Sequence, residues 1–173
     1  MSTTAEVVAW NEVISPIGTF LVAARGHQII EVRLPGTWSP SSIPGDWRRD
    51  GAVVEPAEVQ LAEYFAGSRT AFDLELAPHG TTFQQSVWAA LETIPYGATA
   101  SYREIAVAVG NPNATRAVGM ANNRNPIALV IPCHRVIGAD GSLTGYGGGL
   151  EMKTWLLEHE RTVVERGLVQ AAG

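Results

Sequence analysis

The spacing of apolar residues changes once along this chain, and that change limits the folds open to it. Residues 7 to 34 read as three short runs, "VVAWNEV", "TFLVAARG" and "QIIEVRL", parted by Ser15, Pro16, Ile17 and Gly18 and then by Gly26 and His27. Such runs with turn residues between them predict an antiparallel meander. A Pro- and Ser-rich loop over 35–46 follows, and "EVQLAEYFAGS" takes helical spacing that stops near Gly67. From residue 81 onward the spacing becomes mostly helical. The expected class is α+β: a small N-terminal antiparallel sheet plus helix domain over 1–80, then a mostly helical domain over 81–173 with a winged helix-turn-helix-like motif.

Within the second half, Thr82 and Gln85 stand at capping-box spacing ahead of Phe83, Val87, Trp88 and Leu91, which line one helical face up to Pro95, Tyr96 and Gly97. Ser101 and Glu104 repeat that box before "YREIAVAVG", with Ile105 and Val109 inward and Gly110 as the stop. After "NPN", Asn113 is expected to cap "ATRAVGMANN", a segment small and sparsely apolar enough for close approach to something. Two short helices joined by Gly-Asn-Pro-Asn have helix-turn-helix proportions, although most helix pairs of this size are packing alone. "PIALVI" reads as a buried extended run entering Pro132. "EMKTWLLEHER" reads as a closing helix with Met152, Trp155, Leu156 and His159 at core spacing.

Composition narrows the function classes. At 173 residues and 46% hydrophobic content the chain can bury a core of its own. Its N-terminus lacks the basic start and apolar core of a signal sequence, and no stretch reaches the length of a membrane span, so a cytoplasmic protein without a membrane partner is expected. The net charge of -5 argues against a polyanion partner at first. Yet between 101 and 135 the bases are Arg103, Arg116, Arg124 and Arg135 against Glu104 alone, a segment that could face phosphates.

One cysteine makes no internal disulfide and no paired-thiolate zinc site. A lone cysteine beside an apolar run is commonly a small inert residue. Cys133, however, stands in "IPCHRVIG", where His134 could draw off the thiol proton and leave a nucleophilic thiolate. The imidazole then needs a carboxylate to orient it, and Glu160, Asp140 and Glu158 are the candidates. "GYGGG" at 145–149 lacks the Lys and Ser/Thr of a phosphate-binding loop, but its glycines let backbone N–H groups approach a ligand and Tyr146 could stack on it. His27 and His79 are isolated and read as surface or packing residues.

Taken together, "RAVGMANNRNP", "IPCHRVIG", "GYGGG" and "KTWLLEHE", in that order, closely resemble the O6-alkylguanine-DNA alkyltransferases, and "SPIG" resembles their weaker first domain. The resemblance implies a helix-turn-helix bound at the minor groove of double-stranded DNA, O6-alkylguanine (and O4-alkylthymine) flipped into a pocket, and irreversible, single-turnover transfer of the alkyl group to Cys133. It implies His134 as base through a water, Glu160 as its orienting carboxylate, and Tyr102 as donor to the leaving guanine and as the group that turns the phosphate. Arg116 would fill the gap left by the flipped nucleotide, with Ala114, Ala117 and Gly119 small enough to enter the groove. Asn125 would tie the recognition helix to the cysteine segment; Tyr146 and the backbone of Val136, Gly147 and Gly148 would complete the pocket; Arg124 and Arg135 would serve phosphate or structure.

The chain also departs from the family pattern. Some members hold zinc through N-terminal cysteines and histidines, and no cysteine stands there, so neither a metal nor a cofactor is expected. Gly147 replaces a serine found in some members, leaving only its backbone donor. With phosphate contacts that are few and made mostly by backbone N–H groups and helix N-termini, the resemblance implies weak, nearly sequence-independent DNA binding with a shallow salt slope, for which net acidity is tolerable; a monomer in solution is expected, with clustering on DNA left open. Competing readings are a non-catalytic alkyltransferase-like protein, in which the cysteine is typically tryptophan; a thiol hydrolase, which needs an oxyanion hole; and a dimeric transcriptional regulator.

Overall fold

A computed structural model describes the backbone of residues 6–172, with side chains through Leu168; residues 1–5 and 173, at the outer ends of the two expected domains, lie outside the described residues. The chain divides into two compact units between His79 and Gly80.

In the first unit, β1 (Val8–Ser15), β2 (Gly18–Arg25) and β3 (Gln28–Arg33) form the antiparallel meander. A fourth strand that the sequence did not suggest, β4 (Arg48–Arg49), pairs parallel with β1 and gives the order β3-β2-β1-β4. Central β2 is buried from Phe20 through Ala24. On one side of it Trp10, Ile30, Trp38, Ile43 and Trp47 pack over Val8, Leu21 and Ala23. Helix α1 (Gly51–Phe65) begins seven residues before the expected Glu58, because Asp50 accepts a hydrogen bond from the Ala52 N–H and Val54, Ala57, Leu61 and Tyr64 form one buried stripe. Pro56 lies inside the helix on its exposed side.

The second unit holds α2 (Thr82–Glu92), β5 (Ala100–Ser101), α3 (Tyr102–Ala108), α4 (Thr115–Asn123), a 3-10 turn at Cys133–Arg135, β6 (Val136–Ile137) and α5 (Leu150–Ala172). The capping box of α2 forms one residue earlier than expected, between Thr81 and Gln84. The Ser101–Glu104 box forms as expected. Asn113 does not cap α4: the turn closed by the Ala114 N–H on Asn111 O moves the boundary to Ala114, which offers no side-chain acceptor. Val87, Trp88 and Leu91 of α2 are buried, and the Trp88 indole N–H donates to Ala121 O at 2.9 Å, fixing α2 against α4.

Two further expectations fail for identifiable reasons. "PIALVI" is buried but not extended: Ile131 N–H bonds back to Ile127 O, and Leu129 takes φ 71°, so the run folds on itself. Along α5 the inward positions are Lys153, Leu156 and Glu160, while Met152, Trp155 and His159 are only partly buried. The stripe is i, i+3, i+7 as in any amphipathic helix, but two of its three members are charged.

Candidate active site around Cys133

The cysteine is presented by a stapled loop. Asn125 donates from Nδ2 to Ile131 O at 2.8 Å and accepts the Ile127 N–H at 3.0 Å, holding both ends of the folded apolar run. Leu129 at positive φ marks a backbone conformation that a branched residue adopts only when its surroundings impose it. Cys133 N–H then bonds to Ile131 O at 2.8 Å, and Asn122, near the end of α4, donates to Cys133 O at 3.3 Å. Immediately afterwards β6 pairs with β5, matching Ser101 to Ile137, so Tyr102 at the start of α3 is anchored beside the cysteine segment.

Of the three candidate carboxylates, Glu160 meets the imidazole. His134 Nε2 lies 2.7 Å from Glu160 Oε1, and both side chains are fully buried. Arg135 grips the same carboxylate from Nε at 2.9 Å and from Nη2 at 2.9 Å, and gives Nη1 to Ile94 O at 2.8 Å. It is therefore a structural group, not a phosphate contact. The Gly97 N–H donates to Glu160 Oε2 at 3.2 Å, and Gly97 has φ +79° with Val164 of α5 so near that a Cβ would lie 2.6 Å from it; only glycine permits this approach. Asp140 is held by Ser142, in an exposed loop.

These contacts set the protonation states. Burial works against charge on Glu160, but hydrogen bonds from His134 and Arg135 and their positive charge outweigh it and hold the carboxyl at about 2. An ionised carboxylate only accepts, so Nε2 of His134 carries the proton and Nδ1 is left as a buried acceptor with no hydrogen-bond partner. Burial pushes the His134 pKa down despite the Glu160 carboxylate, which keeps the ring neutral and basic. Burial pushes the Cys133 thiol up, opposed by a hydrogen bond from the Asn125 side chain and by the charge of Lys153. The resting site thus contains a thiol, a neutral imidazole with a free basic nitrogen, and an ionised carboxylate behind it.

The other expected residues divide into two groups. Tyr102 donates its hydroxyl to Thr144 O at 3.1 Å, and its ring is the nearest neighbour of Gly119 on α4. Tyr146 has a buried hydroxyl without a partner and lies within electrostatic reach of Cys133, the burial and that charge raising its pKa well above the ordinary value. Val136 is buried, with its carbonyl already engaged by Lys153, and Gly147 and Gly148 lie in the turn closed by Gly149 N–H on Tyr146 O. Arg116 and Ala117 are exposed on α4 and Ala114 half-buried at its start. Arg124, also exposed, lines a shallow groove of about 180 Å³ with Ala117, Met120 and the N-terminus of α2.

Comparison with known proteins agrees over both units. Residues 82–162 match the family described as 6-O-methylguanine DNA methyltransferase, DNA binding domain, and residues 10–78 match its ribonuclease-like domain. The chain belongs to the 6-O-methylguanine DNA methyltransferase family. Among family members, a methylated-DNA--protein-cysteine methyltransferase of Methanosarcina barkeri is 52% identical over 146 residues, 84% of this chain and 92% of that protein. Its namesake in Mycobacterium bovis is 50% identical over 157 residues, 90% of this chain and 94% of that protein. The crystal structure of Mycobacterium tuberculosis OGT in complex with DNA has a TM-score of 0.84 at 49% identity, covering 90% of this chain and 94% of that one. In this methyltransferase family chain, Asn122 and Lys153 complete the buried polar set, and the sequence offered no signal for either beyond their type.

Proposed function

We propose that this protein reverses alkylation damage directly, moving the alkyl group of O6-alkylguanine in double-stranded DNA to Cys133 in a single irreversible turnover. The observation that carries the reading is the buried Cys133–His134 pair backed by an ionised Glu160 at 2.7 Å, in a chain half identical to methyltransferases of that name. His134 Nδ1 takes the thiol proton through a water. The thiolate attacks the alkyl carbon, the S–C bond forms as the O6–C bond breaks, and the electron pair leaves with guanine. Tyr102 releases Thr144 O and donates to the departing base.

Arg116 enters the base stack from the exposed face of α4, where Ala114, Ala117 and Gly119 keep the helix thin enough for the minor groove. Tyr146 and the backbone of Gly147 and Gly148 line the base pocket, Arg124 meets phosphate, and Asn125 holds the cysteine loop. Among the described residues no helix is long and apolar enough to cross a membrane. The deciding experiment is the peptide mass after incubation with a duplex bearing one O6-methylguanine. One methyl group on the Cys133 peptide, saturating at one per protein and lost in Cys133→Ala, is expected. Tight lesion binding without mass gain would make the protein a non-catalytic lesion binder.

A further inference from the structure

Five polar or charged side chains are buried among the described residues: Asn122, His134, Arg135, Lys153 and Glu160. The repair chemistry uses His134 and Glu160, and Arg135 neutralises Glu160. Lys153 has no such assignment, and it is an unusual residue here: every other basic side chain of the 12 in the chain is arginine, so the single lysine is buried near the single cysteine. Its Nζ donates to Val136 O at 2.6 Å and to Thr144 O at 3.1 Å, and among the described residues no carboxylate lies within ion-pair distance. An ammonium held by carbonyl dipoles alone is costly to bury.

Charge accounting says what would offset that cost. Arg135 and Glu160 cancel, His134 is neutral, and Lys153 leaves the buried site with one net positive charge while Cys133 is a thiol. Loss of the thiol proton to solvent brings the sum to zero, and its transfer to His134 leaves the sum unchanged; in both cases the Lys153 charge is in place before the thiolate forms. The titratable groups facing Cys133 are Lys153 and Tyr146, beside the neutral Asn125 amide, with His134 and Arg135 next in the chain and Glu160 behind the imidazole; in the resting site only Lys153 supplies a positive charge that no anion already balances. We propose that Lys153 is the positioning residue whose ammonium charge balances the Cys133 thiolate, while its two hydrogen bonds hold β6 and the 144 segment around it. This deepens the alkyltransferase reading and rests on it only for the identity of the electrophile. Thr144 O, shared by Lys153 and Tyr102, joins this clamp to the tyrosine that must change partner during transfer.

The pairing is testable without DNA, because one cysteine makes thiol titration unambiguous. In the test, iodoacetamide alkylates the full-length protein across a pH series, forming S–CH2 and releasing iodide, and the inflection of the rate reports the thiol. Lys153→Met removes charge and donor, Lys153→Gln keeps a donor without charge, and Lys153→Arg keeps the charge. Met and Gln are expected to raise the inflection by about one pH unit, a tenfold loss of thiolate below it, and Arg to restore it. Unchanged inflections in Met and Gln overturn the proposal, and a wild-type Gln variant assigns Lys153 to the hydrogen-bond clamp instead. Should Met fail to fold, Gln and Arg still decide the question. Linkage is reciprocal, so the single resonance of 15N-lysine should titrate at lower pH once Cys133 is alkylated; no change, or an amine already neutral at pH 7 in the resting protein, also overturns it. If these shifts occur but no methyl group moves from duplex DNA, the pairing stands and the alkyltransferase reading falls.

Discussion

The two units bury different things. Among the described residues of the N-terminal unit the buried side chains are hydrocarbon and aromatic, and the ion pairs, from part-buried Arg33–Glu31 to Arg49–Glu12, all keep part of each side chain open to solvent. All five buried polar side chains belong to the C-terminal unit, between Asn122 and Glu160. Apolar burial stabilises whatever its arrangement, whereas a buried polar network is favourable only when each member finds its partner. The first unit rests on apolar packing. The second buries a neutral imidazole and an ionised carboxylate that each depend on a particular partner.

The contrast is sharpest at Glu160. Replacing it with Ala strands Arg135 in the interior and removes the imidazole's partner, so unfolding stability should fall by about 3–5 kcal/mol. Urea unfolding, followed with methyl transfer, checks it. The same site should govern acid stability. Glu160 titrates near 2 in the folded protein against 4.5 ordinarily, so the unfolded chain binds the proton first; its stabilisation is complete above about 4.5 and is lost as pH falls through 2. His134, pushed below 6.5 by burial, acts in the same direction: the unfolded imidazole takes up a proton near 6.5 that the folded one refuses. Hydrogen exchange on acidification should therefore open the C-terminal unit before the sheet of the first unit. Earlier opening of β1–β3 would break the comparison.

His134→Gln should leave the fold largely intact and slow transfer by about a hundredfold, the usual scale for losing a general base. Lesion binding should be unchanged, which single-turnover rates beside gel-shift affinity would separate. Equal losses in both would mean that His134 holds the loop and does not draw off the proton.

The same contrast explains what was legible in the sequence. The meander, the Ser101–Glu104 cap and the inward faces of α1 and α2 are written in apolar spacing and turn residues, and the structure follows them. The closing helix is different, because hydrophobic spacing selects Met152, Trp155, Leu156 and His159, and of these only Leu156 is on the core side, beside Lys153 and Glu160. A charged residue is read as solvent-facing unless its partner is known, and the partners of Glu160 lie 25 and 26 positions earlier. The folded-back "PIALVI" is hidden for a different reason: Asn125 ties both ends of the run through local side-chain bonds and Leu129 takes a positive φ, against the extended preference of the run. Family resemblance alone favours Glu160 over Asp140 and Glu158, and the geometry behind it, a carboxylate 2.7 Å from the imidazole, is visible only in the structure.

The smallest effect is expected where the comparison predicts none of consequence. Glu12 and Arg49 are 3.4 Å apart with more than a third of each side chain exposed, and the guanidinium also lies 5.2 Å from the Trp10 ring centroid. Solvent screens the pair, so Glu12→Gln should change stability by less than about 1 kcal/mol. Arg49→Ala should cost slightly more, because it also strips the cation from Trp10, a contact of about 0.5–1 kcal/mol at exposed sites. Raising salt should erase the first difference and spare most of the second, since packing over the ring does not depend on a distant counter-charge. A Glu12→Gln cost approaching that of Glu160→Ala would mean that the sheet unit, too, depends on specific ionic partners, and the division of labour argued from burial would fail.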